Sequence, residues 1–200
     1  MASLLYVTPW LRDGGIERAL ETEAPWLARR GHRVDVASWF ISDQLSAHPN
    51  PVLDTLARSG IQVRRVRSLG RLHLVQRALL VAARALRDRA DVVIGQEMLG
   101  GVVAMLAARL TGRLRGVVEV HCSSEMYTET VKSRATLALA RRLYRRADGV
   151  RAVSDSVALD AVHFFALTPG KVATIYNTFD LEHVREMAAE PSPRSGQPVG

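Results

Sequence analysis

Two adjacent glycines, Gly14 and Gly15, stand between an apolar run over residues 3–8 and a helical pattern over residues 16–30. Glycine lets a ligand approach the backbone closely because no Cβ stands in the way. The start of a helix offers free N–H groups and the positive end of the helix dipole, which together favour an anion. The pattern therefore predicts a phosphate site, and a tight turn in an α/β protein is the alternative explanation.

This glycine pair does not fit the known dinucleotide or Walker loops. It is not Gly-x-Gly-x-x-Gly, and the second predicted strand ends at Trp39 and Phe40. An acidic residue is expected at that position in a protein that holds a ribose. No Walker lysine follows the glycines either. The sequence therefore argues against a dinucleotide or P-loop site.

Polar side chains follow the other predicted strands, where each strand ends. Ligands of open α/β sheets bind beyond these carboxyl ends, so the side chains are expected to share one rim. A histidine there is as commonly a structural hydrogen-bonding group, and an acidic residue can simply cap the next helix. The rim candidates are His121, Glu97, Ser123, Ser154 and Asn177, of which Ser154 also fits the cap position of a helix over residues 155–165.

Two further sequence features do not indicate a catalytic site. Cys122 is the single cysteine, which excludes an internal disulfide and a cysteine-cluster metal site and indicates a reducing, cytosolic compartment. It is interpreted as a packed side chain, since no Cys-His-Asn spacing accompanies it. Glu182 and Glu190 match a Glu-x7-Glu spacing, but they lie on a plain charged helix and are rejected as a catalytic pair.

Short apolar runs alternate with longer helical patterns along the whole chain. Seven such runs separated by helices predict an α/β fold with a doubly wound, mostly parallel sheet of about seven strands. Residues 9–15 are predicted as a loop. The predicted strands are residues 3–8, 33–39, 61–66, 91–95, 116–120, 149–153 and 171–175. The predicted helices are residues 16–30, 51–58, 72–87, 102–110, 131–146, 155–165 and 180–189.

The 200 residues suit one domain or half of a larger enzyme, and 48% hydrophobic with 24% charged residues is a globular composition. Of the 27 basic residues 25 are arginine, a skew typical of a GC-rich bacterial genome. No secretory signal or membrane-spanning run is recognisable, so any membrane contact is expected to be peripheral.

The net charge of +7 is concentrated in residues 58–89 and 132–151. The densest run lies on a predicted helix that also carries the aromatic Tyr144. Basic amphipathic helices with an aromatic residue suit an anionic membrane surface, whereas a solvated arginine face is the plain alternative. Nucleic acid is disfavoured, because no recognition motif accompanies the charge. The arginines of this run are Arg141, Arg142, Arg145 and Arg146.

In order and spacing, several segments together resemble the N-terminal, Rossmann-like domain of retaining GT-B glycosyltransferases of family 4, also called group 1. The resemblance covers roughly residues 3–185. The matching segments are Gly14-Gly15-Ile16-Glu17-Arg18, residues 27–36, residues 91–95, Val118-Glu119-Val120-His121, residues 146–154 and residues 172–180.

The resemblance implies that residues 1–185 form the acceptor-side domain and that residues 186–200 are a linker toward a donor-binding domain absent from this chain. It implies a nucleotide-sugar co-substrate, a glycan, lipid or small-molecule acceptor, and neither a metal nor another cofactor. Gly14 and Gly15 would face the donor diphosphate, His121 would lie near the transferred sugar, and Asn177 would mark the hinge. Thr178 departs from the glycine or proline of the family motif.

Three functional hypotheses follow from these observations. The first is the acceptor-binding domain of a bacterial, cytoplasmic, retaining glycosyltransferase, inactive by itself because the donor domain is missing. The second is a non-catalytic basic module that docks on an anionic membrane or glycan. The third is an inverting enzyme, which would need a general base such as His121 or Asp13. Residues 40–50 and 122–132 are expected to recognise the acceptor.

Overall fold

A computed structural model describes residues 1–12, 14–41, 50–67, 73–130, 133–179 and 181–189. The strands are β1 (Ser3–Leu11), β2 (Arg33–Ile41), β3 (Gln62–Arg65), β4 (Val92–Gln96), β5 (Arg115–Val120), β6 (Gly149–Ala152) and β7 (Val172–Thr174). The helices are α1 (Gly15–Arg29), α2 (Pro51–Arg58), α3 (His73–Arg87), α4 (Glu97–Thr111), α5 (Ser124–Thr130), α6 (Arg134–Tyr144), α7 (Asp155–Phe165) and α8 (Leu181–Ala189).

The seven strands form one parallel sheet in the order β3-β2-β1-β4-β5-β6-β7. The chain builds outward from β1 to β3 and then returns across β1 to begin β4. Helices cover both faces, and apolar clusters fill the space between each face and its helices. The predicted doubly wound parallel sheet is confirmed, because continuous apolar strands with intervening helices must bury both sheet faces.

Helix α4 lies unusually close to the sheet. A Cβ on Gly100 would approach the carbonyl oxygen of Val7 to 2.5 Å, and a Cβ on Gly101 would overlap the hydroxyl of Tyr144. That hydroxyl donates a hydrogen bond to the carbonyl of Met98, 2.9 Å away. The two glycines therefore let β1, α4 and α6 meet at the centre of the domain.

Several boundaries differ from the sequence predictions because tertiary pairing extends the local pattern. Strand β1 continues through part of the predicted 9–15 loop, since Trp10 and Leu11 pair with Phe40 and Ile41 of β2. Helix α4 begins at Glu97, five residues before the predicted start. Helix α5 was not predicted and occupies much of the expected 122–132 loop.

The C-terminal boundary also differs in one respect. Helix α8 runs to Ala189, so residues 186–189 of the expected linker are helical. Residues 190–200, which include Glu190, lie outside the described part of the chain. Among the described residues, none of the helices has the length and hydropathy needed to cross a membrane.

Candidate functional site

The sheet order reverses between β1 and β4, which defines the place where ligands bind in open α/β folds. The loop after β1 carries Gly14 and Gly15, and β4 ends at Gln96 with Glu97 directly after it. His121 follows β5, the next strand of the sheet. The topology therefore brings the predicted glycine pair, the rim glutamate and the rim histidine to the same end of neighbouring strands.

Gly14 and Gly15 both lie at the start of α1, but their surroundings differ. Gly14 is the N-cap residue and has extended backbone, and its carbonyl accepts a hydrogen bond from the Arg18 N–H at 2.9 Å. A Cβ on Gly14 would lie 2.5 Å from Oε2 of Glu17, so that buried carboxylate turns back against the cap. A Cβ on Gly15 would meet nothing within 4 Å. The open space at Gly15 suits an anion, whereas the charge of Glu17 opposes one.

Glu97 joins a strand directly to a helix and adopts a left-handed conformation with φ +56°. Non-glycine residues with such backbone strain concentrate at functional sites. Burial raises the pKa of the Glu97 carboxyl, the nearby charge of Glu17 raises it further, and His121 and Arg12 partly oppose the shift. Gln96 is the N-cap residue of α4 and Glu97 is the first residue of the helix, so the alternative explanation of Glu97 as the helix cap does not hold.

Glu119 on β5 carries a buried carboxylate that contacts His121. Its Oε2 lies 3.4 Å from Nε2 of His121 and accepts a hydrogen bond from Nε2 of Gln96 at 2.9 Å. Its Oε1 accepts a hydrogen bond from Nη1 of Arg151 on β6, also at 2.9 Å. The side chains of Glu119 and His121 are 3% and 4% exposed. The pair is therefore held away from bulk water.

This pairing determines the protonation of Glu119. Burial by itself raises the pKa of the carboxyl, but the contact with His121, the charge of Arg151 and the Gln96 hydrogen bond outweigh it and lower the pKa. Nε2 of His121 faces Glu119, whereas Nδ1 of His121 and Oε1 of Gln96 are buried without a hydrogen-bond partner among the described residues. These unsatisfied atoms point to a role in ligand contact, because buried polar groups are normally paired.

The charged network continues beneath the site to α1. Nη1 of Arg151 also donates to Oε2 of Glu23, and the hydroxyl of Tyr6 donates to Oε1 of the same glutamate at 2.8 Å. Glu23 and Arg151 were not predicted as site residues from the sequence. One signal was present, because Glu119 and Arg151 place opposite charges in two otherwise apolar strands, and they are direct register partners.

The remaining rim candidates differ in what they contact. The Ser154 hydroxyl accepts a hydrogen bond from the Val157 N–H at 3.2 Å, which confirms the predicted cap of α7. Ser123 is exposed, and the side chain bound to Asp160 is that of Ser124. Asn177 has a buried Oδ1 without a partner among the described residues. Nothing in these contacts assigns Ser123 or Ser154 a ligand.

The predicted membrane helix is organised differently from its sequence pattern. Tyr144 is fully buried, so it cannot reach a membrane surface, and that part of the prediction was wrong. Helix α6 ends at Tyr144, so Arg145 and Arg146 lie beyond it. The apolar face of the helix packs inside the domain. Arg141 and Arg142 are exposed, and Nε of Arg141 donates to the carbonyl of Phe164 at 2.8 Å. Among the described residues of α6, the exposed apolar side chains are the alanines Ala135 and Ala138, so the surface offers charge without a large apolar side chain.

Two points remain, the alternative general base and the possibility of a metal site. Asp13, the alternative general base, is not among the described residues. In the described part of the chain, no group of three or more His, Cys, Asp or Glu side chains is arranged to hold a metal ion.

An open parallel sheet whose strand order reverses between β1 and β4, with helices on both faces, defines a Rossmann-like α/β domain, as found in each half of a GT-B structure. The sequence profile of Glycosyltransferase Family 4 matches residues 13–183. The chain therefore belongs to Glycosyltransferase Family 4, and its fold is that of the N-terminal GT-B domain. No curated protein sequence matches the chain.

Solved structures share this fold at low sequence identity. Anabaena HepE in complex with UDP has 19% identity and a TM-score of 0.69, with 94% of this chain and 50% of that chain covered. The lipopolysaccharide outer core galactosyltransferase WaaB has 12% identity and a TM-score of 0.64, with coverages of 89% and 46%. UDP-GlcNAc 2-epimerase from Neisseria meningitidis, bound to UDP-GlcNAc, has 13% identity and a TM-score of 0.62, with coverages of 88% and 46%. The chain thus spans about half the length of these proteins, and the fold is shared by transferases and epimerases.

Proposed function

We propose that this chain is the acceptor-side domain of a bacterial, cytoplasmic, retaining glycosyltransferase that takes a hexose from a UDP-sugar. The acceptor is a glycan, lipid or small molecule. The observation that supports the donor site is the open space at Gly15, at the start of α1, beside the strained Glu97 and the buried His121. UDP in the HepE structure and UDP-GlcNAc in the epimerase structure support the choice of nucleotide.

In this proposal the domain acts by positioning and electrostatics. The backbone N–H groups at Gly15 stabilise the departing diphosphate, and the helix dipole of α1 adds to that effect. His121, held by Glu119, contacts the transferred sugar. A second domain supplies the remaining donor contacts, and closure of the two domains brings the reacting groups together. The 200 residues alone are then inactive.

The donor site is tested by comparing Gly15→Ala with Gly149→Ala. A Cβ meets nothing within 4 Å at either position, and neither glycine has a positive φ, so both variants should fold. In the longest natural reading frame that contains this chain, Gly15→Ala should lower kcat/KM for UDP release from UDP-glucose or UDP-GlcNAc by about tenfold or more, which corresponds to about 1.4 kcal/mol. Gly149→Ala should match the unsubstituted enzyme. An equal effect of both substitutions would argue against the site.

Two further measurements address the rest of the proposal. The 200-residue chain in the same assay should release no UDP above background, and turnover at the rate of the longer protein would contradict the need for a second domain. The anomeric configuration of the product, read by NMR, should match that of the donor. An inverted product would instead favour His121, backed by Glu119, as a general base.

Membrane contact is the remaining part of the proposal. Because α6 buries its apolar face, binding through Arg141, Arg142, Arg145 and Arg146 would be electrostatic and should disappear at high salt. Co-sedimentation with anionic vesicles tests this, with the four arginines changed to alanine as the comparison. Binding that persists in high salt would contradict an attachment by charge alone.

A further inference from the structure

We propose that Trp10 and Phe40 form an aromatic platform that binds a ring of a negatively charged acceptor saccharide. The inference rests on the proposed function, because it assigns the acceptor class of the same site. The two side chains lie near the carboxyl ends of β1 and β2, one residue before each strand ends. They are direct register partners in the sheet.

The two rings stack closely and remain open to solvent. Their centroids are 4.3 Å apart with an interplanar angle of 18°, while Trp10 is 39% exposed and Phe40 46% exposed. Their chain neighbours Leu11 and Trp39 are buried. The platform is therefore a large exposed aromatic surface at the ligand-binding edge of the sheet, next to a well-packed interior.

A pyranose ring matches this surface chemically. One face of such a ring carries mainly C–H groups, which can pack on the electron-rich face of an aromatic ring, and exposed aromatic side chains commonly serve in recognition. The ring hydroxyls stay at the edge of such a stack, where they can remain in contact with water. The exposed platform thus suits a sugar better than an aliphatic chain, which would have to be covered on all sides.

A guanidinium group lies over each ring of the platform. The guanidinium carbon of Arg12 lies 5.2 Å from the centroid of Trp10, and that of Arg77 on α3 lies 5.9 Å from Phe40 and 4.6 Å from Trp39. Nε of Arg77 is buried without a hydrogen-bond partner among the described residues. These guanidinium groups favour a carboxylate or phosphate on the bound sugar.

The platform lies on the same edge of the sheet as the candidate donor site. Strand β1, which carries Trp10, pairs in parallel with β4, and Glu97 directly follows the carboxyl end of β4. A saccharide stacked on Trp10 would therefore extend toward the rim that carries Glu97 and His121. This placement is what an acceptor requires, since its nucleophilic hydroxyl must reach the transferred sugar.

The test uses the chain itself and the indole N–H signals of its tryptophans in a two-dimensional NMR spectrum. The probes are methyl glucuronide, methyl glucoside and UMP, each titrated to millimolar concentration. Methyl glucuronide should shift the Trp10 signal saturably and bind about fivefold more tightly than methyl glucoside, the ratio that one exposed ion pair supplies. Equal affinity for the two sugars would overturn the anionic preference.

Trp26 provides a matched control within the same spectrum. It is 45% exposed and has Arg30 stacked 3.9 Å from its ring, but it lies near the end of α1, away from the carboxyl edge of the sheet. Its signal should not move, and Trp26→Ala should leave glucuronide affinity unchanged. Phe40→Ala should weaken the Trp10 response at least about fivefold while the Trp26 signal keeps its position and the circular dichroism spectrum is unchanged, which shows that the fold is intact.

Three results would overturn the platform: no Trp10 response to either sugar, an equal response at Trp26, or a Trp10 response to UMP alone. UMP is included because nucleobases also stack on aromatic side chains. None of these measurements requires a donor or turnover. Failure of UDP-sugar transfer would therefore leave a positive binding result intact, and the absence of sugar binding would leave the donor site untouched.

Discussion

Replacement of Arg151 by methionine removes the only cation among the described residues that bonds both Glu119 and Glu23. Arg151 is 7% exposed and Glu119 is 3% exposed, so the contact is largely shielded from water. The substitution also removes the hydrogen bond from Nε of Arg151 to the carbonyl of Ile175. Methionine keeps much of the side-chain length, which limits the cavity that the change creates.

Breaking a buried ion pair by removing one partner costs about 3–5 kcal/mol, because the other charge stays buried without compensation. The lower part of this range applies to Arg151→Met, since Glu119 keeps His121 and Gln96 and Glu23 keeps the hydrogen bond from Tyr6. Domains of this size are stable by about 5–15 kcal/mol, so the loss should be large but compatible with folding. With a urea m-value of about 2 kcal/mol/M, the midpoint should fall by about 1.5 M.

The pH dependence gives a second readout. The pKa of Glu119 is lowered from its ordinary value of 4.5, so this group stabilises the fold above that pH, and the stabilisation is lost as the pH falls below it. The loss of Arg151 should move the pKa of Glu119 upward, because one of the groups that oppose the effect of burial is gone, and protonation then relieves the buried charge. The difference in unfolding free energy between the two proteins should therefore narrow as the pH falls through the range around 4.5.

Urea unfolding followed by circular dichroism measures both effects, with Arg142→Met as the control because Arg142 is exposed on α6. The control should change stability by about 0.5 kcal/mol or less. The double variant Glu119→Gln/Arg151→Met should lose less unfolding free energy than the sum of the losses in the two single variants, since both residues belong to one network. If Arg151→Met were no more destabilising than the control, the network would not carry the energy assigned to it.

Three further predictions concern single contacts. Ser154→Ala removes the hydroxyl that caps α7 and should lower the unfolding free energy by about 1 kcal/mol in chemical denaturation, so an unchanged midpoint would contradict the cap. Gly101→Ala forces a methyl group against the Tyr144 hydroxyl and should cost at least about 1–3 kcal/mol by thermal melting, whereas Gly149→Ala has room and should be nearly neutral. Burial raises the pKa of the Cys122 thiol, so iodoacetamide should alkylate it several-fold more slowly at neutral pH than a small free thiol, and an equal rate would refute this.

Local sequence patterns predicted most of the secondary structure. The bounds of α2 and α7 agree with the predictions, because each helix combines apolar periodicity with a cap, Asn50 and Ser154, whose side chain accepts a backbone N–H. Gly31, directly after the C-cap residue Arg30 of α1, adopts a positive φ of 85°, which is typical of a glycine that ends a helix. Such signals depend only on neighbouring residues and are therefore readable without the tertiary structure.

Long-range packing decided the remaining structure. Strand β1 extends to Leu11 because β2 pairs with it, and Tyr144 is buried because α6 packs against α4. The start of α4 could not be located from the sequence, since Glu97 takes a left-handed conformation that its side chain disfavours. In each case the contact partner lies far away in sequence, where no local periodicity records it.

The sequence by itself determined the family resemblance, the alternating fold and the group of rim residues, because those depend on residue type and spacing along the chain. Only the tertiary structure decided which of them interact. It placed Glu119 between His121 and Arg151, and it stacked Trp10 on Phe40. Parallel register across strands sets these pairs, and that register depends on how the whole sheet packs rather than on any one segment.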